Sequence, residues 1–130
     1  MLVVVDSDEE CPAISGPSLL ERASVVRINL PVAVVLAKHE FESWFIAAAG
    51  SLAGCAGLRD DIQAPANPES IQGAKEWLTE RMVGTRAYTP TLDQPLLAST
   101  FDLASALCAG SFEKFHREVE RLLSQAPDAW

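Results

Sequence analysis

Met1-Leu-Val-Val-Val-Asp-Ser-Asp-Glu-Glu10 is the stretch whose reading decides the fold. Leu2 to Val5 is an unbroken apolar run rich in β-branched residues, the pattern of a strand buried on both faces in a parallel sheet. The acids that follow belong outside a sheet, so the strand should end near Asp6 and open its carboxyl edge to solvent. While backbone stays extended, residues two apart point the same way, which would let Asp6 and Asp8 aim two carboxylates at one hard cation. Open α/β sheets bind ligands at that edge. The competing reading of the same residues is a solvated acidic turn.

A second strand is predicted at Val32–Ala37, again apolar on both faces. Between the two strands, Pro17 and the Ser18/Glu21 capping box predict a helix carrying Leu19, Leu20, Ala23 and Val26 on one face. Strand, helix and strand make a right-handed βαβ unit with parallel strands. The second strand also runs into polar residues, Lys38-His-Glu40-Phe-Glu42, so both acid sets should meet at one edge. A second helix is expected from about His39 to Ala49, stopped by Gly50. Residues two apart on a helix diverge, so Glu40 and Glu42 share a site only where the backbone is still extended. Glu40, nearer the strand end, is the expected inward acid.

The remainder reads as helical. After a Gly- and Ala-rich loop over 51–66, Asn67 and Pro68 predict a helix carrying Ile71, Ala74, Leu78 and Met82, closed by Gly84. Short helices are expected from Asp93 and from Asp102. A final helix capped by Ser111 carries Phe112, Phe115, Val119, Leu122 and Leu123, with outer pairs Glu113–Arg117 and Lys114–Glu118. The predicted class is α/β: a small parallel sheet with a βαβ unit at the N-terminus and a helical C-terminal half. It forms one domain over 1–130, with the sheet part in 1–50 and the helical part in 51–130.

Composition narrows the function classes. With 18 Asp plus Glu against 10 Lys plus Arg, the formal charge is −8, which argues against sequence-blind adhesion to nucleic acid or anionic membrane. It leaves open a nuclease in which bound cations offset the local acids. Three cysteines, Cys11, Cys55 and Cys108, form no paired-ligand motif and read as buried thiols of a reducing compartment. No signal peptide or membrane span is evident, so a cytoplasmic protein is expected. His39 and His116 lack a second ligand at metal spacing, and a general-base role for His39 competes with a structural one. Trp44 and Trp77 fall on core stripes, and Lys75 is expected to pack its stem while its ammonium reaches water.

Several segments together resemble a known family. VVVDSDEECP (3–12), PVAVVLAKHEFESWFIAAAGSL (31–52), NPESIQGAKEWL (67–78), YTPTLDQPLLASTFDL (88–103) and SFEKF (111–115) resemble, in matching order, an uncharacterised bacterial domain-of-unknown-function family of the Toprim-like group. Some of its relatives are associated with abortive infection and phage defence. Toprim-like domains carry a glutamate after an early strand and an Asp-x-Asp pair after a later one. Together these bind magnesium and act on phosphodiester bonds. The resemblance implies that Asp6 and Asp8 are that pair, holding Mg²⁺ or Mn²⁺, with a nucleic acid as substrate. The chain opens at the Asp-x-Asp strand, so the family's upstream strand and glutamate are expected to be missing. Glu40 is the candidate to replace that acid as a third metal ligand and catalytic group. The alternative is a non-catalytic interaction module whose exposed sheet edge is covered by a second copy or another chain. A haloacid-dehalogenase-like reading of Asp6-x-Asp8 is weaker, because Glu10 stands where that motif has Thr or Val.

Overall fold

The β-branched runs become the strands, as their composition demands. In the computed structural model, which describes residues 1–125, β1 spans Leu2–Asp6 and β2 spans Ala33–Ala37. They pair in parallel with Leu2 opposite Ala33 and Asp6 opposite Ala37. Helix α1 (Pro12–Val26) makes the crossover. It begins five residues before the expected Pro17, because Pro12 takes its first turn, where a missing N–H costs nothing. Gly16 is its buried residue, lying against Leu36.

Every residue of β2 is buried, whereas β1 is half-buried at Leu2 and Val3 and exposed from Val4 onward. Buried on both faces was therefore right for β2 and wrong for β1. One side of β1 has no strand paired to it among the described residues.

The second helix starts later than its sequence suggested. His39 adopts a left-handed backbone (φ 63°), which no α-helix accommodates, so α2 is confined to Ser43–Ala47, followed by a 3-10 turn at Ala49–Leu52. The helix expected from Pro68 is likewise divided. Pro68–Ser70 is a 3-10 turn, Gly73 is left-handed (φ 72°), and α3 runs from Ala74 to Glu80. Next come α4 (Pro90–Thr100), α5 (Leu103–Ala106) and α6 (Gly110–Ser124). Asp102 caps α5 as expected, its carboxylate accepting the Ser105 amide at 3.1 Å. The molecule is thus a mixed α/β fold, with a two-stranded parallel sheet followed by helices. Residues 126–130, assigned above to the helical half, lie outside the described residues.

Two apolar clusters share the α2 segment. One gathers Phe45, Ile46, Leu52, Leu58, Leu78 and Leu97; the other gathers Val35, Ala37, Trp44, Ala106, Ala109 and Phe112. Trp44 and Trp77 are core residues, as their stripes required. The cysteines are not: Cys11 and Cys108 are exposed and Cys55 is half-buried. Of the two expected outer pairs on α6, Arg117–Glu113 forms at 3.2 Å, but Glu118 binds Arg121 at 2.7 Å in place of Lys114.

Candidate functional site at the carboxyl rim of the sheet

The parallel register carries both acid sets to one rim. Ser7 continues the ladder, its amide donating to the Ala37 carbonyl at 2.9 Å, and its buried hydroxyl accepts the His39 amide at 2.9 Å. Asp8 then turns left-handed (φ 51°) and donates its amide to the His39 carbonyl at 2.9 Å. His39 Nδ1 lies 3.0 Å from the Asp8 carbonyl, which can only accept, so Nδ1 carries the hydrogen. Two left-handed non-glycine residues thus face each other and are held by mutual hydrogen bonds.

This turn ends the extended alternation that would align Asp6 with Asp8. Asp6 accepts the Phe41 amide at 2.7 Å and lines a cleft of about 580 Å³ with Val4, Val5, Phe41, Gln94, Pro95 and Ala98. Asp8 and Glu40 line another cleft of about 560 Å³, together with Glu9, His39, Gln72 and Gly73.

Glu40 and Glu42 converge on one cation. The Lys75 ammonium donates to Glu40 at 2.6 Å and to Glu42 at 3.1 Å. The other Glu40 oxygen accepts the Ala74 amide at 2.8 Å, at the start of α3. The other Glu42 oxygen accepts the Tyr88 hydroxyl at 3.1 Å. The helix begins only at Ser43, so both acids lie in the preceding turn and both reach Lys75. Glu42 is the more buried of the two, its side chain 2% exposed against 22% for Glu40, while Glu40 is the one that lines the cleft with Asp8. The Lys75 ammonium does not simply reach water; it is the counter-ion of this pair.

The charges follow from those contacts. Burial alone would raise the Glu40 carboxyl, but the bonds from Lys75 and the Ala74 amide outweigh it and hold Glu40 below its ordinary value. Burial alone would lower Lys75, but its bonds to Glu40 and Glu42 outweigh that and raise it. Burial pushes Asp6 up against the pull of the Phe41 amide, and the Glu42 charge adds to the rise. Burial, the Glu42 charge and the bond to it keep the Tyr88 phenol protonated.

The three predicted metal ligands differ in which oxygens they leave free. Asp6 keeps one carboxylate oxygen, and Asp8 both, without a hydrogen-bond partner among the described residues, whereas both Glu40 oxygens are engaged. Among the described residues no group of three or more His, Cys, Asp or Glu side chains is disposed to hold a metal ion. His116 stands apart on α6, 3.8 Å from Glu120.

Reading the sequence did not reveal the roles of Glu42, Lys75 and Tyr88. Their partners lie 33 to 46 residues away in sequence, and the only local sign was a lysine interrupting an apolar stripe. No helix of the described residues is long and apolar enough to cross a membrane. No curated protein and no solved structure matches the chain significantly. A family model, described as Domain of unknown function (DUF4276), matches residues 2–120, and the chain therefore belongs to that family.

Proposed function

We propose that this domain is an assembly module that offers the open edge of β1 to another β-strand. The observation that carries the reading is the state of that edge. The ladder to β2 runs from the Ala33 amide on the Met1 carbonyl to the Ser7 amide on the Ala37 carbonyl, so the odd-numbered residues of β1 spend their backbone groups on β2. The amides and carbonyls of Leu2, Val4 and Asp6 point the other way and meet no partner among the described residues. Val4 and Val5, on opposite faces of the strand, are each 38% exposed. Edges that stay open in solution are normally blunted by charged side chains, proline or a bulge; β1 carries no proline, its register to β2 is continuous, and its one charge is Asp6 at its end.

Backbone exchange tests this reading. In dilute chain, the amides of Val3 and Val5 should exchange about 100-fold more slowly than those of Leu2, Val4 and Asp6. Equal protection of the two sets would mean the edge is already covered.

A second reading, a divalent-metal-dependent phosphodiesterase or nuclease with a role in phage defence, is favoured by the convergence of Asp6, Asp8, Glu40 and Glu42 at one rim. It fits the Toprim-like resemblance. Asp6 and Asp8 line separate clefts in this structure and would have to turn towards a common Mg²⁺ or Mn²⁺, which accepts one or two protein carboxylates and keeps several waters. Glu40 would join only by leaving Lys75. Titration calorimetry with Mn²⁺ decides the point: the second reading requires binding that Asp6→Ala weakens about tenfold or more, together with Mn²⁺-dependent DNA cleavage lost in the same variant. Equal heats in the two proteins and no cleavage would remove it.

A further inference from the structure

We infer that the strand received by β1 is a basic segment of another protein, with a lysine or arginine opposite Asp6 and an apolar residue opposite Val4. The inference rests on the open-edge reading above and names the chemistry of its occupant.

The outward backbone groups belong to Leu2, Val4 and Asp6, whose side chains share one face of the strand. On that face Leu2 packs against the cluster that holds Trp44 and Phe112. The cleft of about 580 Å³ opens beside it, between β1 and α4, with Val4, Phe41, Pro95 and Ala98 among its walls. A strand added to β1 runs about 4.8 Å away and turns every second side chain to the same face, hence into this cleft.

The cleft is apolar except towards one end. Among the described residues Asp6 is its one charged lining residue, and Gln94 its one other polar side chain. One Asp6 oxygen accepts the Phe41 amide; the other has no hydrogen-bond partner, and Asp6 forms no ion pair, among the described residues. The charges that act on it are Glu42, Lys75 and Asp8, and Lys75 is already engaged by Glu40 and Glu42. Burial, with Glu42 and Asp8 adding to it, holds the Asp6 carboxyl above its ordinary value, a strain that an incoming cation relieves.

Lysine and arginine fit this place in both their parts. The methylene stem can lie along Val4, Phe41 and Pro95 while the charged head meets the free Asp6 oxygen. An acid opposite Asp6 would be repelled. The wider field selects the same partner: the chain carries −8, and Asp8, Glu9 and Glu40 lie beyond the same end of the strand, so basic segments are drawn in and acidic ones turned away. Main-chain bonds to Leu2, Val4 and Asp6 give such an added strand its affinity, and the side chains facing Val4 and Asp6 give it its specificity.

The test uses the full chain, with EDTA present, and the blocked peptide Thr-Lys-Thr-Val-Thr-Lys-Thr, which shows the same side chains in either strand direction. With its valine opposite Val4, one lysine falls opposite Asp6. Fluorescence anisotropy should show it binding about tenfold or more tightly than its glutamine counterpart, and no binding of its glutamate counterpart. The equally charged isomer Lys-Thr-Thr-Val-Thr-Thr-Lys turns its lysines to the other face and should bind no better than the glutamine peptide. Asp6→Asn, which keeps an acceptor for the Phe41 amide, should remove the advantage of the first lysine peptide. Asp6→Lys should transfer the preference to the glutamate peptide. Binding should also slow exchange of the Leu2, Val4 and Asp6 amides.

Equal binding of the two lysine isomers, unchanged by Asp6→Asn, is adhesion by net charge alone and overturns the inference. No peptide binding, with those three amides exchanging freely, overturns the basic strand as occupant and leaves the open edge standing. Protection of the amides in the chain alone, as its mass doubles, assigns the edge to a second copy and overturns the basic partner. Their protection in a chain that stays monomeric overturns the open-edge reading itself.

Discussion

Trp44→Ala is expected to lower the unfolding free energy by about 4–5 kcal/mol, a large share of the roughly 5–15 kcal/mol by which an ordinary domain is stable. Trp44 is 2% exposed and meets Phe41, Phe112 and Phe115 at ring-centroid distances of 5.0, 5.2 and 5.1 Å. Its removal opens a cavity between α2 and α6 and strips edge-on aromatic contacts of their partner. It also deletes the indole N–H that donates to Ser111 Oγ at 2.9 Å. Trp44→Phe should recover roughly half of the loss, since it refills much of the volume without restoring that bond. Thermal unfolding followed by circular dichroism reads both variants. A Trp44→Ala chain melting within a few degrees of the parent would show that the aromatic cluster does not hold the two halves together.

Lys75→Met should cost about 2–3 kcal/mol at neutral pH. Removing one partner of a fully buried ion pair costs about 3–5 kcal/mol, and the figure is reduced here because the Lys75 side chain is 37% exposed. The cost arises because the buried Glu42 side chain loses its cation and keeps only the Tyr88 hydroxyl beside it.

Its pH dependence has a definite sign. Glu40 is held below its ordinary value of 4.5, so its share of the stabilisation is complete above that value and is lost as pH falls through the lowered one. Lys75 is raised above 10.5, so its share is complete below 10.5 and is lost as pH rises through the raised value. The gap in melting temperature between parent and Lys75→Met should therefore form a plateau between these limits and narrow towards acid. A gap of constant size from pH 3 to pH 8 would mean that the lysine acts only through the packing of its stem.

What could be read from the residues, and what could not, divides along the range of the interactions. The β-branched runs at Leu2–Val5 and Val32–Ala37 declare strands through local sterics, and a single helix between them requires a parallel pair; both hold. The stripe from Phe112 to Leu123 declares α6 by its period. Local signals failed where a non-local contact overrode them. Nothing in the composition around His39 asks for a left-handed backbone; it follows from the hydrogen bonds that Ser7 and Asp8 make from another strand. Those bonds shorten α2 and leave Glu40 and Glu42 in a turn from which both reach Lys75. The shared acidic rim was legible because parallel topology alone creates it. The neutralisation of two of its acids by α3 was not, because that pairing is decided by how Gly73 turns the chain before Ala74.

Ser111 joins distant parts of the chain near the start of α6. Its hydroxyl accepts from the Trp44 indole and, at 3.3 Å, from the Lys38 amide, and it donates to Glu69, whose carboxylate also receives the Ser111 amide at 3.2 Å. Three residues lying 42 to 73 positions before Ser111 thus meet on its one side-chain oxygen. During synthesis on the ribosome, the contacts of Trp44 with Ser111 and Phe112 become available only once α6 has emerged, so ribosome-bound lengths ending before α6 are expected to be more protease-sensitive around Trp44 than the full-length chain.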